Sequence, residues 1–151
     1  MKSNILVKIM KTKFEFFDVT ADVGFYGYGK TIEESFENSG LAMFNVITDT
    51  SNIKKTKEFK FTITSEDKVS LLYDYLEELL FLHEVEFVIL SDFNVKISKE
   101  GEEYRLDATV SGENINWEIH QRGSEVKAIT FHLMGVYVED GINKTRVILD
   151  L

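Results

Sequence analysis

Between Val69 and His83 a large apolar residue returns at every third or fourth position, at Val69, Leu72, Leu76, Leu79 and Leu82 or His83. Asp74, Glu77, Glu78 and Glu84 fall mostly on the other side. That period is close to the ~3.6 residues of a helical turn, so the segment predicts an amphipathic helix with one face committed to a core. Ser65 or Asp67 supplies its N-cap. A lone helix cannot bury such a stripe, and the remainder of the chain has to supply the opposing layer.

A second helix is predicted over TIEESFENSGLAMFNVI: Thr31 and Glu34 have capping-box spacing, and Ile32, Phe36, Met43 and Ile47 share one face. The Ser39-Gly40 pair inside it costs about 1 kcal/mol of helix propensity, which implies close packing against a sheet. Elsewhere the pattern switches to β. FEFFDVTADVGFYGYG is rich in β-branched and aromatic residues and splits at Thr20-Ala21-Asp22 into two short strands, with Asp22 at a strand end or turn. KEFKFTITS alternates Phe59, Phe61 and Ile63 with polar residues, as a half-buried antiparallel or edge-proximal strand does. EFVILSDFNVKISKEG, EEYRLDATVSGENI, EVKAITFHLMGVYVEDG and INKTRVILDL complete the strands, with hairpin-turn character at Gly101 and Gly141. The expected fold is α+β, a two-layer domain with a largely antiparallel or mixed β-sheet and two main helices on one face. Residues 1–12 are read as an N-terminal extension and 13–151 as a single domain. The chain has no proline, so Gly, Asn and Asp alone punctuate it.

Composition narrows the function. The 26 acidic and 17 basic residues leave a formal charge of −9, which opposes the counterion release that drives most nucleic-acid binding and suits a basic protein surface or a cation instead. No cysteine is present, which excludes a disulfide framework, a thiolate metal site and a cysteine nucleophile, and fits a reducing compartment. MKSNILVKIMKTK lacks the apolar run of a signal segment, and no stretch is long and apolar enough for a spanning helix. A soluble, cytoplasmic protein without membrane contact is expected.

Three segments carry chemistry: DVTADVG with Asp22, EVKAITFH with Lys127, and VILDL, where Asp150 is followed by Leu151 alone. On spacing alone, acids at a turn or a terminus and a lysine on a strand are ordinarily just solvated. In VILDL, Val147, Leu149 and Leu151 alternate with Ile148 and Asp150, a strand pattern that anchors the end. His120 and His132 invite a catalytic reading, although a lone histidine on a mixed strand is more often hydrogen-bonded structure; His83 suits the C-terminal dipole of its helix. Trp117 is core or a partner contact. GYGKT at 27–31 lacks the first glycine and spacer of a phosphate loop, and capping by Thr31 explains it without a ligand.

TADVG, GKTIEESFENSGLAMFNVITD, LLYDYLEELLFL, GEN, EVKAITFH and the final VILD, in this order and covering roughly residues 14–151, resemble the archease family. The resemblance implies a non-catalytic protein cofactor of the RtcB-class tRNA-splicing RNA ligase, which joins a 3′-phosphate or 2′,3′-cyclic phosphate end to a 5′-hydroxyl end with GTP. It implies promotion of ligase guanylylation, multiple turnover and broader nucleotide use. It also allows an alternative, a chaperone-like modulator of RNA-modifying enzymes such as a tRNA methyltransferase. By the same resemblance Asp22 and Asp150 are metal-binding acids, Leu151 contributes a main-chain or terminal oxygen, and Lys127 is a functional lysine. Family members commonly have His-Thr-Ala-Asp where this chain has Val19-Thr20-Ala21-Asp22, while Asp22 and the following Val-Gly are kept.

If those acids converge, each pair of carboxylates at ~5 Å and an effective dielectric of ~20 repels by roughly 3 kcal/mol, which a divalent cation between them removes. Oxygen-only ligands select hard ions, Ca²⁺ ahead of Mg²⁺ in a flexible, carbonyl-tolerant site. With no nucleophile motif and no base beyond the ligands, a stand-alone hydrolase is not expected.

Overall fold

A computed structural model describes residues 12–151, so the N-terminal extension expected over 1–12 lies, apart from Thr12, outside the described residues. The order of elements is β1 (Phe14–Val19), β2 (Asp22–Gly29), α1 (Ile32–Ile47), β3 (Lys57–Ser65), α2 (Lys68–Glu86), β4 (Val88–Glu100), β5 (Glu103–Asn114), β6 (Ala128–Glu139) and β7 (Ile142–Asp150). The strands divide into two antiparallel sheets, β1-β2-β7-β6 and β3-β5-β4. The α+β expectation is borne out, and each sheet turns one face toward the helices.

Both helices touch both sheets. α1 lies against β2 and β7 of the first and β4 of the second, and α2 lies against β6 of the first and all three strands of the second. That placement explains why α2 buries Leu71, Tyr75 and Leu80 in addition to the expected Leu72, Leu76 and Leu79. A helix facing two layers needs a wider apolar surface than a single stripe.

The caps follow the sequence. Asp67, rather than Ser65, caps α2 by accepting from the Ser70 N–H at 2.8 Å, while Ser65 Oγ donates to Asp74 at 2.7 Å. Thr31 Oγ1 accepts from the Glu34 N–H at 3.1 Å, and Glu34 accepts from the Lys30 N–H at 3.2 Å, a capping box displaced by one residue. A Cβ at Gly29 would lie 2.4 Å from the Ser35 nitrogen, so Gly29-Lys30-Thr31 is a helix start pressed against its strand. Between α1 and the first sheet, the Gly27 N–H donates to Thr145 Oγ1 (3.0 Å), which meets Ser39 Oγ (2.6 Å), which donates to the Ser35 carbonyl (2.7 Å). This buried relay ties α1 to β2 and β7 and gives Ser39 its reason to be in a helix. Its neighbour Gly40 lets Tyr75, Leu79 and Phe93 approach.

Both expected glycine turns are two-residue hairpins. Gly101 (φ 64°) follows Glu100 between β4 and β5, and Asp140 (φ 53°) with Gly141 (φ 78°) joins β6 to β7, the doubly left-handed turn that suits strand twist.

The boundary between α2 and β4 differs from the sequence reading, which began the strand at Glu86. Glu86 is the last helical residue, and Phe87 ends the helix in the left-handed region (φ 54°) with its ring 67% exposed. Glycine is the usual occupant of such a position, because a Cβ there costs roughly 1–2 kcal/mol. Against glycine's greater unfolded-state entropy of ~0.5–1 kcal/mol, Phe87→Gly is expected to stabilise the fold by about 0.5–1 kcal/mol. Thermal unfolding should register this as a rise of roughly 1–4 °C; a fall would mean that the exposed ring makes contacts that outweigh the backbone term.

Candidate functional site at the end of the first sheet

The β1–β2 hairpin turns through Thr20 and Ala21, the latter left-handed (φ 64°), so that Asp22 becomes the first residue of β2. Its register partners are Val19 on β1 and Asp150 on β7, and Asp150 in turn opposes Ala128, the first residue of β6. Val19, Asp22, Asp150 and Ala128 therefore form one row across all four strands, all on one face. Directly opposed positions hold their Cβ atoms about 4.5–5.5 Å apart, so the two carboxylates are neighbours. Strand alternation sends Phe25, Val147, Leu149 and Ile129 into the core, which puts the row on the outer face.

Lys127 sits just before β6, and its N–H donates to the Asp150 carbonyl at 2.8 Å, fixing the lysine to the same corner of the sheet. Asp22 is half-buried, while Asp150 and Lys127 are exposed. Leu151 is half-buried and packs against the core, so the alternation read in VILDL anchors the strand end as expected. Among the described residues, no hydrogen bond or ion pair engages the side chains of Asp22, Asp150 or Lys127. The sequence-selected residues thus meet at one corner, two acids and a base with their charges unsatisfied.

Whether this donor set fits a metal follows from its chemistry. Among the described residues, no three His, Cys, Asp or Glu side chains cluster as a metal cage. Two carboxylates in register fit a hard cation whose remaining positions would be filled by main-chain oxygen, by water or by a partner. Residue 19 is the direct cross-strand neighbour of Asp22, and here it contributes only a valine surface.

The histidines have other roles. His120 is buried; its Nδ1 accepts from the Asn116 N–H at 2.9 Å and its Nε2 donates to Glu113 at 2.5 Å, which fixes one ring tautomer and pins the loop between β5 and β6. His83 Nδ1 meets the Val88 carbonyl at 2.9 Å, and its ring stands edge-on to Phe44. His132 is exposed in an irregular stretch of β6, where pairing with β7 breaks between Thr130 and Gly135. Trp117 is half-buried under the Arg122 guanidinium, 4.4 Å from the ring centroid.

The hydrogen bond from His120 holds the Glu113 carboxyl below its ordinary range, against an opposing push from burial and with help from the Lys54 backbone. A carboxyl depressed in the folded state adds stability above its unfolded pKa and loses that contribution as pH falls through the folded value. Urea titrations between about pH 7 and pH 3 should therefore show a stability gap between wild type and Glu113→Gln that narrows toward acid. A gap constant across that window would mean that the carboxylate's ionisation has no part in holding the loop.

Comparisons place the chain among known proteins. The sequence model of the archease protein family (MTH1598/TM1083) matches residues 14–151. Protein archease of Methanothermobacter thermautotrophicus is 56% identical over 138 residues, covering 91% of this chain and 98% of the relative. Protein archease of Pyrococcus furiosus is 44% identical over 124 residues, covering 82% and 87%. The solution structure of Methanobacterium thermoautotrophicum protein 1598 superposes with a TM-score of 0.84 at 56% identity, over 92% of this chain and 99% of that one. A Thermotoga maritima crystal structure described as an archease and possible chaperone shares the fold, with a TM-score of 0.55 at 20% identity over 89% and 94% of the two chains.

Proposed function

The chain belongs to the archease family, and from that premise we propose that it is a non-catalytic protein cofactor of an RtcB-class tRNA-splicing RNA ligase, acting through the acidic corner of its first sheet. The observation that carries this reading is the register pairing of Asp22 with Asp150, with Lys127 bonded through its N–H to the Asp150 carbonyl.

In this reading Asp22 and Asp150 hold a divalent cation, Ca²⁺ before Mg²⁺, with help from a main-chain oxygen of Leu151. Such an ion supplies hard positive charge of the kind a nucleotide polyphosphate needs nearby. The chain's own contribution is positional. Val19 and the half-buried setting of Asp22 limit water on one side, and the buried flank of β7 fixes the direction of Asp150. Lys127 extends from the same corner as a point charge for a phosphate or a carboxylate of the ligase. A net charge of −9 favours encounter with a basic, RNA-binding enzyme and keeps the protein off the RNA itself.

The test is RNA ligation with limiting ligase and excess RNA bearing 3′-phosphate and 5′-hydroxyl ends, with and without this protein. Turnover beyond one ligation per enzyme only in its presence is the expected result; equal turnover without it would end this reading. The alternative, a chaperone-like modulator of RNA-modifying enzymes such as a tRNA methyltransferase, draws on the exposed Phe81, Val85, Phe87 and Ile119 side chains. It would be favoured if corner variants suppressed thermal aggregation of a client as well as wild type does.

A further inference from the structure

The end of α2 and the loop between β5 and β6 enclose a groove of about 480 Å³, lined by none of Asp22, Lys127 and Asp150. Its apolar surface comes from Ile47, Phe87, Ile115 and Trp117, with His83 and Arg122 beside them. Four exposed acids surround this surface: Glu84 and Glu125 line the groove, and Glu86 and Glu118 are the chain neighbours of Phe87 and Trp117. Among the described residues, Arg122 is the one lysine or arginine that lines it, and it is already laid over the Trp117 ring.

Two features of Phe87 have no purpose inside the molecule. It occupies a left-handed helix cap that disfavours any side chain, and it leaves a large ring in water. Ile119, on the same loop as Trp117, is 72% exposed. An apolar groove centred on a tryptophan and rimmed by acids has the composition of a peptide-docking surface, with aromatic anchors inside and charge at the edge. The sign of the rim selects the occupant. Nucleic acid and anionic lipid are repelled, and a second copy of a chain of charge −9 brings more acid.

We propose that this groove docks a segment of a partner protein in which an apolar anchor is flanked by lysine or arginine. The anchor fills the space between Phe87 and Trp117, and the flanking cations meet Glu84, Glu86, Glu118 and Glu125. This surface uses none of the residues of the Asp22–Asp150 corner.

Trp117 is the only tryptophan, so its emission reports the groove directly. The probe is a blocked hexapeptide of leucine and phenylalanine flanked on each side by two lysines. One control has glutamates in place of the lysines, and a second has serines in place of the apolar pair. Saturable change in Trp117 emission with the lysine peptide, at least ~10-fold weaker with either control, is expected. The same loss is expected for Phe87→Gly, which should fold better than wild type, and for the Glu84→Lys/Glu125→Lys protein. No saturable response to the lysine peptide, equal responses to the three peptides, or undiminished binding by both variants would overturn the proposal. A response to phosphatidylserine vesicles in place of the peptide would overturn it in favour of a membrane.

Discussion

Asp22→Ala and Asp150→Ala proteins are expected to fold like wild type and yet to lower multiple-turnover ligation by at least ~10-fold, about 1.4 kcal/mol of lost activation. The two halves of that expectation have separate causes. Folding is spared because neither carboxylate has a partner to lose among the described residues, and removing one of two adjacent like charges relieves the repulsion between them. Activity is lost because a single carboxylate is too few for a hard cation that takes about 6–8 oxygens. A readout independent of ligation comes from linkage: an ion that binds only the folded state raises its stability by RT ln(1 + [L]/Kd), about 2.7 kcal/mol at 100 times Kd. Millimolar Ca²⁺ should therefore raise the melting temperature of wild type and leave Asp22→Ala unmoved. Lys127→Ala should keep the Ca²⁺ shift and lose the ligation, since in the proposed function its ammonium serves the partner and not the cation. A Ca²⁺ shift undiminished in both aspartate variants would sink the metal assignment while leaving the cofactor role standing.

How far the sequence carried this site is visible in Asp22 itself. The β-branched and aromatic run that splits at Thr20-Ala21-Asp22 puts it at a strand end or turn, and it is the first residue of β2, but such a local signal says nothing about which strand lies alongside. The pairing of β2 with β7 joins residues more than a hundred positions apart, as the Gly27–Thr145 hydrogen bond shows, and no local signal encodes it. Only the resemblance linked Asp22 to Asp150. For the same reason the strands read as one layer from sequence and separate into two sheets in the structure: alternation carries no label for sheet membership. The helices were legible because their stripes and caps are local, down to Thr31 and to Ser65 or Asp67, of which Asp67 is the cap. Phe87 was not, because a left-handed cap announces itself through glycine or asparagine and an aromatic residue there reads as part of a strand. FHLM in β6 likewise reads as uninterrupted strand, although pairing breaks there and Leu133 is left-handed (φ 56°).

The largest loss of stability is expected at Gly112, which no functional reading selects. It lies on β5, opposite Leu90, where the register of β4 shifts between Leu90 and Asp92 and leaves Ser91 without a partner. The bulge bends the β4 backbone over Gly112, so that an added Cβ would stand 1.8 Å from the Ile89 carbonyl oxygen and 2.8 Å from the Leu90 Cα. No flexible side chain can yield, because the obstructing atoms are main chain. Moving them means displacing Val88, Ile89 and Leu90, all buried in the core against the helices. Overpacking of this kind costs ~1–3 kcal/mol where side chains can adjust, and Gly112→Ala should exceed that, at about 3–5 kcal/mol. Gly101→Ala provides the contrast. Nothing lies within 4 Å of its Cβ, only the left-handed φ of 64° opposes it, and its cost should be about 1 kcal/mol. At roughly 2–4 °C per kcal/mol for a chain of this size, the two alanines should separate by several degrees in thermal unfolding. If Gly112→Ala melted within a few degrees of Gly101→Ala, the bulge in β4 would have to slide at little cost, and the packing of its three buried residues would not be what holds the second sheet to the helices.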